Sequence, residues 1–136
     1  NTSTMSFYGK EYKYESEENF GDFLKAVGLP EEEVQKFLQF KPTAKIEKNG
    51  DEYSYTSISP AGTKVTKFKS GVEFEDTIKE GFTVKTTYTV NGNKVTQVIN
   101  SDKGTATFDR EFSDDALVVT ITASAWGGTA KRFYKV

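Results

Sequence analysis

The chain has 136 residues with one tryptophan, no cysteine and no histidine, which suits a single domain able to bury roughly 68% of its unfolded surface unaided. Disulfides and both thiolate and imidazole catalysis are thereby excluded, and zinc would be left with carboxylates alone. Eighteen Lys and Arg are interspersed with 20 Asp and Glu for a formal net charge of −2, which argues against nucleic acid as a partner.

In chain order, a first strand is expected over 7–15. Phe20, Phe23, Leu24 and Val27 then follow the i, i+3, i+4, i+7 spacing of one helix face, so a helix is expected over 19–27. Asn19 stands at its N-cap and Gly28 at its stop. Pro30 opens a second helix over 31–39, with Glu31, Glu32 and Glu33 at the positive end of its dipole and Val34, Phe37 and Leu38 on its apolar face. Lys41-Pro42 ends it, because the residue before proline is pushed out of helical angles.

From there, turn signals recur about every ten residues: Asn49-Gly50-Asp51, Ala61-Gly62, Ser70-Gly71, Glu80-Gly81, Asn91-Gly92, Lys103-Gly104, Asp114-Asp115 and Gly127-Gly128. The segments between them are rich in Thr, Val, Tyr, Phe and Ile, as strands favour. They predict strands over 42–49, 51–58, 62–70, 73–78, 81–90, 93–100, 104–112, 116–124 and 129–136. With the first strand this makes an all-β fold of ten strands with a small helical lid. The architecture expected is an antiparallel up-and-down β-barrel capped by a helix-turn-helix, since closing the sheet best removes exposed edges. A barrel wider than about eight strands is not filled by its own wall and leaves room for a ligand.

Two arginines break the apolar parity of this pattern. Arg110 falls on the face of Ala106, Phe108 and Phe112, and Arg132 on the face of Ala130, Tyr134 and Val136. A guanidinium on a core-facing stripe is costly unless an anion or hydrogen-bond acceptor meets it. In a meander the strand over 116–124 lies between them, so their backbones stand about 9.6 Å apart and the long side chains can converge on one anion. Tyr134 shares the parity of Arg132 and can donate its hydroxyl to the same carboxylate. The fixed fork of arginine suits a carboxylate better than lysine does. Apolar walls are expected from Phe20, Phe23, Leu24, Val95, Ile99, Phe108, Leu117, Val119 and Ile121, with Gln97 on the same face as Val95 and Ile99. For each wall residue plain core packing is the competing reading, as an interior acid partner or snorkelling to the barrel mouth is for Arg110. Gln97 reads equally as a holder of cavity water or as a polar site at the mouth. Each buried methylene of an acyl tail contributes about 0.8 kcal/mol, so a sixteen-carbon tail offers roughly 12 kcal/mol gross. Affinity is therefore assigned mainly to the tail, and orientation to the arginines.

Several stretches together resemble the intracellular lipid-binding proteins, the family of the fatty-acid-binding proteins. They are Phe7-Tyr8-Gly9, Asn19-Phe20-Gly21-Asp22-Phe23-Leu24, Lys41-Pro42-Thr43, Ile46-Glu47-Lys48-Asn49-Gly50-Asp51, Phe68-Lys69-Ser70-Gly71-Val72-Glu73-Phe74-Glu75 and Arg132-Phe133-Tyr134. Leu117-Val118-Val119-Thr120-Ile121-Thr122 followed by Trp126-Gly127-Gly128 is most similar to insect midgut members. The resemblance implies a ten-stranded clam-like barrel and a non-catalytic intracellular carrier, with one long-chain fatty acid inside and its carboxylate on Arg110, Arg132 and Tyr134. It implies no cofactor and no metal, a monomer, and transient membrane contact through the lid, where Lys25 and Lys36 compete with a merely solvated face. A retinoid or other hydrophobic carboxylate is the alternative guest. The sequence departs from the family's pattern at Tyr12, where tryptophan is usual, at Ala61, where an aromatic commonly guards the portal, and at Phe82, where some members carry another interior arginine.

Trp126 is read as packing in the last turn, and the acids of Asp114-Asp115 and 73–76 as turn chemistry without calcium-loop spacing. No apolar run approaches the roughly 18–20 residues of a membrane span, and Asn1-Thr2-Ser3-Thr4-Met5 carries no signal region. Met5 is read as the natural start after a non-native or disordered lead, and the protein as soluble and cytoplasmic. Three rival classes are an enzyme, an extracellular lipocalin-type carrier and a filled-barrel interaction module. No nucleophile elbow or phosphate loop supports the first. The second lacks its Gly-x-Trp, since Lys10 and Glu11 follow Gly9.

Overall fold

The sheet is built from ten consecutive antiparallel strands interrupted once by a helical hairpin. A computed structural model describes residues 7–79 and 82–136. Strand β1 (Tyr12–Glu18) leads into α1 (Phe20–Ala26) and α2 (Glu31–Gln39). There follow β2 (Thr43–Asn49), β3 (Glu52–Ser59), β4 (Gly62–Lys69), β5 (Glu73–Lys79), β6 (Phe82–Asn91), β7 (Lys94–Ser101), β8 (Gly104–Phe112), β9 (Ala116–Ala123) and β10 (Trp126–Lys135). The ladder runs β4-β3-β2-β1-β10-β9-β8-β7-β6-β5. The two ends of the chain are thus joined by the β1–β10 pairing, and the sheet's edges are β4 and β5. Among the described residues none is long and apolar enough in helical form to cross a membrane.

The barrel differs from full closure at those edges. Side chains bridge the seam: Lys64 Nζ of β4 lies 3.5 Å from Asp76 Oδ1 of β5, and the Phe68 ring of β4 stacks on Tyr88 of β6 at 4.4 Å. At one end the turn after β4 is pinned to β6, where Gly71 N–H donates to Tyr88 O and Val90 N–H to Ser70 Oγ.

Among the described residues five hairpins use two-residue loops, set by the pairs Asn49↔Glu52, Ser59↔Gly62, Asn91↔Lys94, Ser101↔Gly104 and Ala123↔Trp126. Gly50 and Gly92 take the positive φ that such loops require. The turn signals mark these hairpins except the last: Gly127-Gly128 lies inside β10, at an irregularity between Trp126 and Ala130, and the chain turns instead at Ser124-Ala125, so the final strand begins at 126 rather than 129. The Glu80-Gly81 turn, Met5 and the lead before it, and the side chain of Phe82 lie outside the described residues.

The first strand needs correction. It begins at Tyr12 rather than at position 7, because Gly9 at φ 82° turns the chain and Lys10 N–H closes back on Phe7 O. Phe7 and Tyr8 resemble strand residues in composition but act as a plug. Phe7 stacks on Phe112 at 5.1 Å, and Tyr8 lies 6.5 Å from Tyr53. Tyr12 is fully buried and donates to Ser113 O at 2.7 Å. Val136, expected on the inner face, is 57% exposed beyond the end of β10.

The lid forms where periodicity places it. Phe20, Phe23 and Leu24 of α1 are buried, and α2 buries Val34 with Phe37 and Leu38 packed partly against the core. Gly28 at φ 88° stops α1, with Gly28 N–H on Lys25 O and Leu29 N–H on Leu24 O. Asn19 stands at the N-cap in the left-handed region, but its side chain does not cap. It donates instead to Thr129 O, tying the lid to β10. Trp126 packs tilted on Phe23 at 6.0 Å, and a Cβ at Gly128 would meet the indole at 2.5 Å. The tryptophan thus serves the last turn and also braces the lid.

Phe112, stacked on Phe7 and edge-on to Tyr12, closes the end of the barrel. Phe112→Ala is expected to cost about 3–5 kcal/mol of stability, read as a lower urea midpoint with unchanged slope.

Candidate functional site

Strands β8, β9 and β10 lay the key side chains in one lateral row. Arg110 pairs with Val119, and Val119 with Arg132, so both arginines share the inner face with one strand between them. Beside them on β10, Tyr134 pairs with Leu117 on one flank and Tyr14 on the other. All three predicted polar residues are buried, with Arg110 at 7% exposure and Arg132 at 5%. They line one internal cavity of about 280 Å³.

Arg110 is only partly satisfied. Its Nη2 donates to Gln97 Oε1 at 2.9 Å, and Gln97 Nε2 donates to Thr86 Oγ1 at 3.1 Å. Gln97 thus accepts from Arg110 and donates to Thr86, linking the two across β7. The guanidinium carbon lies 4.6 Å from the Tyr55 ring centre and 5.7 Å from that of Tyr88. Its Nε and Nη1 are buried with no hydrogen-bond partner in the structure. Burial works against its charge, yet the phenols of Tyr55 and Tyr88 outweigh that and hold the Arg110 pKa above its ordinary value.

Arg132 is compensated differently. Nε and Nη2 both reach Glu17 Oε1 at 3.1 Å, and Nη2 also donates to Phe40 O at 2.7 Å. The guanidinium is sandwiched between the rings of Tyr14 and Phe20, at 4.8 and 4.4 Å. The acid partner that the alternative reading foresaw for Arg110 therefore stands at Arg132.

The apolar wall divides in two. Phe20, Phe23, Leu24, Ile99, Phe108, Val119 and Ile121 line the cavity. Val95, Gln97 and Leu117 are not among the lining residues; Val95 and Leu117 are fully buried in the packed core. The contributions of Tyr55, Phe40, Glu17 and Tyr14 were missed. Tyr55 has inward parity in its strand, a readable signal. Glu17 had none, because a β-bulge between Tyr14 and Ser16 shifts the register. It brings Glu17 opposite Arg132, where unbroken pairing would put Ser16. Among the described residues no group of three or more carboxylates is placed to hold a metal ion.

Comparison with known proteins agrees with the fold. The model of the "Lipocalin / cytosolic fatty-acid binding protein family" matches residues 5–133. Fatty acid-binding protein 1 of Manduca sexta is 56% identical over 96% of this chain and 99% of its own length. The crystal structure of a fatty-acid-binding protein isolated from Manduca sexta superposes with a TM-score of 0.91 at 51% identity, covering 96% of this chain and 100% of that one. A Schistosoma mansoni fatty acid binding protein in complex with arachidonic acid gives 0.86 at 28% identity, covering 98% and 97%. The chain belongs to the lipocalin / cytosolic fatty-acid binding protein family. The relatives named above are fatty-acid-binding proteins, and this lipid-binding β-barrel is no enzyme.

Burial pushes the phenols of Tyr134 and Tyr88 up to about 12 from an ordinary 10, and both stay protonated donors at neutral pH. The Tyr14 phenol is also raised, by burial first and then by its bond to Glu17. Because these folded-state values lie above the unfolded ones, the stability they carry is intact below about pH 10 and lost toward about pH 12. Tyr134→Phe is expected to remove one late-ionising phenol from the alkaline absorbance titration and to flatten that fall in stability.

Proposed function

We propose that this protein is a monomeric cytosolic carrier of a long-chain fatty acid, held tail-first among the lid and strand apolar residues with its carboxylate at Arg110, Arg132 and Tyr134. The single observation that carries this reading is the pair of partnerless Arg110 nitrogens, Nε and Nη1, in a cavity otherwise lined mainly by apolar side chains. A buried cation with unused donors costs free energy that a bound carboxylate would recover. The arachidonic acid complex of the Schistosoma mansoni relative supports the same ligand class. Tyr134, protonated and beside both guanidinium groups, supplies a neutral donor to the same head. Membrane contact through the lid rests on Lys25 and on Lys36, whose side chain is exposed and only loosely held by Glu33 at 3.5 Å.

Displacement of a fluorescent fatty-acid probe tests the reading. Arg110→Gln is expected to weaken hexadecanoate binding roughly ten- to hundredfold. Arg132→Gln should weaken it more than Lys36→Ala, which leaves it unchanged. Wild-type protein should prefer the free acid to its methyl ester, and Arg110→Gln should erase that preference. Equal affinities for acid and ester in the wild type would remove the carboxylate from the account.

A further inference from the structure

Two arginines line the cavity, but they do not offer two free charges. Glu17 Oε1 accepts from Nε of Arg132, lies 3.1 Å from its Nη2 in an ion pair and, at 3.0 Å, accepts from the Tyr14 hydroxyl. The Glu17 side chain is 21% exposed and does not line the cavity, so it holds Arg132 from behind. Arg110 has no carboxylate within ion-pair distance among the described residues; its Nη2 donates to the neutral Gln97, and the uncharged phenols of Tyr55 and Tyr88 stand beside it. The other charged lining residues are Glu33 and the exposed Lys103, which are of opposite sign. The buried end of the cavity therefore carries one uncompensated positive charge.

We infer that Glu17 is a specificity-determining residue: a built-in carboxylate that occupies Arg132 and restricts the cavity to head groups bearing a single negative charge. The inference rests on the reading of Arg110 as the anchor of an acidic head. A monoanion meets the free charge of Arg110 and is neutralised. A dianion would leave one unit of charge uncompensated in a buried site, next to the fixed carboxylate of Glu17, and that is heavily disfavoured. Glu17→Gln keeps the shape and the acceptor oxygen but discharges it, so Arg132 becomes a second available cation.

Hexadecyl sulfate and hexadecyl phosphate share tail and tetrahedral head but differ in charge at about pH 8, where a phosphate monoester is a dianion. Probe displacement by these two and by hexadecanoate is to be measured on wild type, Glu17→Gln, Glu17→Asp, and Glu17→Gln combined with Arg132→Gln. Wild type should favour the sulfate over the phosphate by about tenfold. Glu17→Gln should narrow or reverse that ratio, Glu17→Asp should retain it, and removal of Arg132 should abolish the gain of Glu17→Gln. Equal wild-type affinity for sulfate and phosphate overturns the inference without any variant having to fold. So does a loss in Glu17→Gln that is uniform across all three ligands, which marks Glu17 as merely structural. Failure of the wild type to bind hexadecanoate overturns the carboxylate reading and this inference with it; normal hexadecanoate binding without the charge selectivity overturns this inference alone.

Discussion

The Arg110 guanidinium stands inside the barrel with one nitrogen on Gln97 and two without acceptors. An interior that tolerates such a group must surround it with partial compensation. The relay from Arg110 through Gln97 to Thr86 does this across three adjacent strands, and the faces of Tyr55, Tyr88 and Phe108 supply the remaining electrostatic contact. The same aromatic residues line or back the cavity, so the groups that make the charge bearable also shape the space beside it. Loss of any member would change both the energy and the geometry of the site.

Arg132 solves the same problem by a different route, and its route reaches the lid. Glu17 lies at the end of β1, three residues before α1, while Phe40 is the C-cap of α2. Bonds from one guanidinium to both positions tie together the entry and exit of the helical hairpin. Asn19 adds a third tether to β10, and Trp126 braces Phe23 from the last turn. The lid is thus fastened at its roots, whereas its tip, between Gly28 and Pro30, lies away from these bonds.

Much of this architecture was readable from residue order. Turn residues at two-residue hairpins fixed the strand bounds to within a few positions, because loop length and positive φ are local requirements. The inward parity of Arg110, Arg132 and Tyr134 was readable for the same reason: alternation in an unbroken strand is geometry. What escaped was set by irregularity or by tertiary packing. Phe7 and Tyr8 have strand composition but fold under the barrel, since Gly9 turns the chain. Val95 and Leu117 share a face with the cavity wall, yet lie where the barrel is packed shut; depth along the axis leaves no trace in period-two alternation. Fully sealing the sheet was also expected, but the β4 and β5 edges meet only through side chains such as Lys64 and Asp76.

The extra residue in β1 has a wider consequence. It occupies a single position between Tyr14 and Ser16, and the strands on either side keep their partners. The same sequence paired without that bulge would present the neutral hydroxyl of Ser16 to Arg132 instead of an acid, while the sequence of every other strand stayed as it is. Register at one point of one strand is therefore a dial on the interior's electrical character, set by where the bulge sits rather than by any residue of the wall itself.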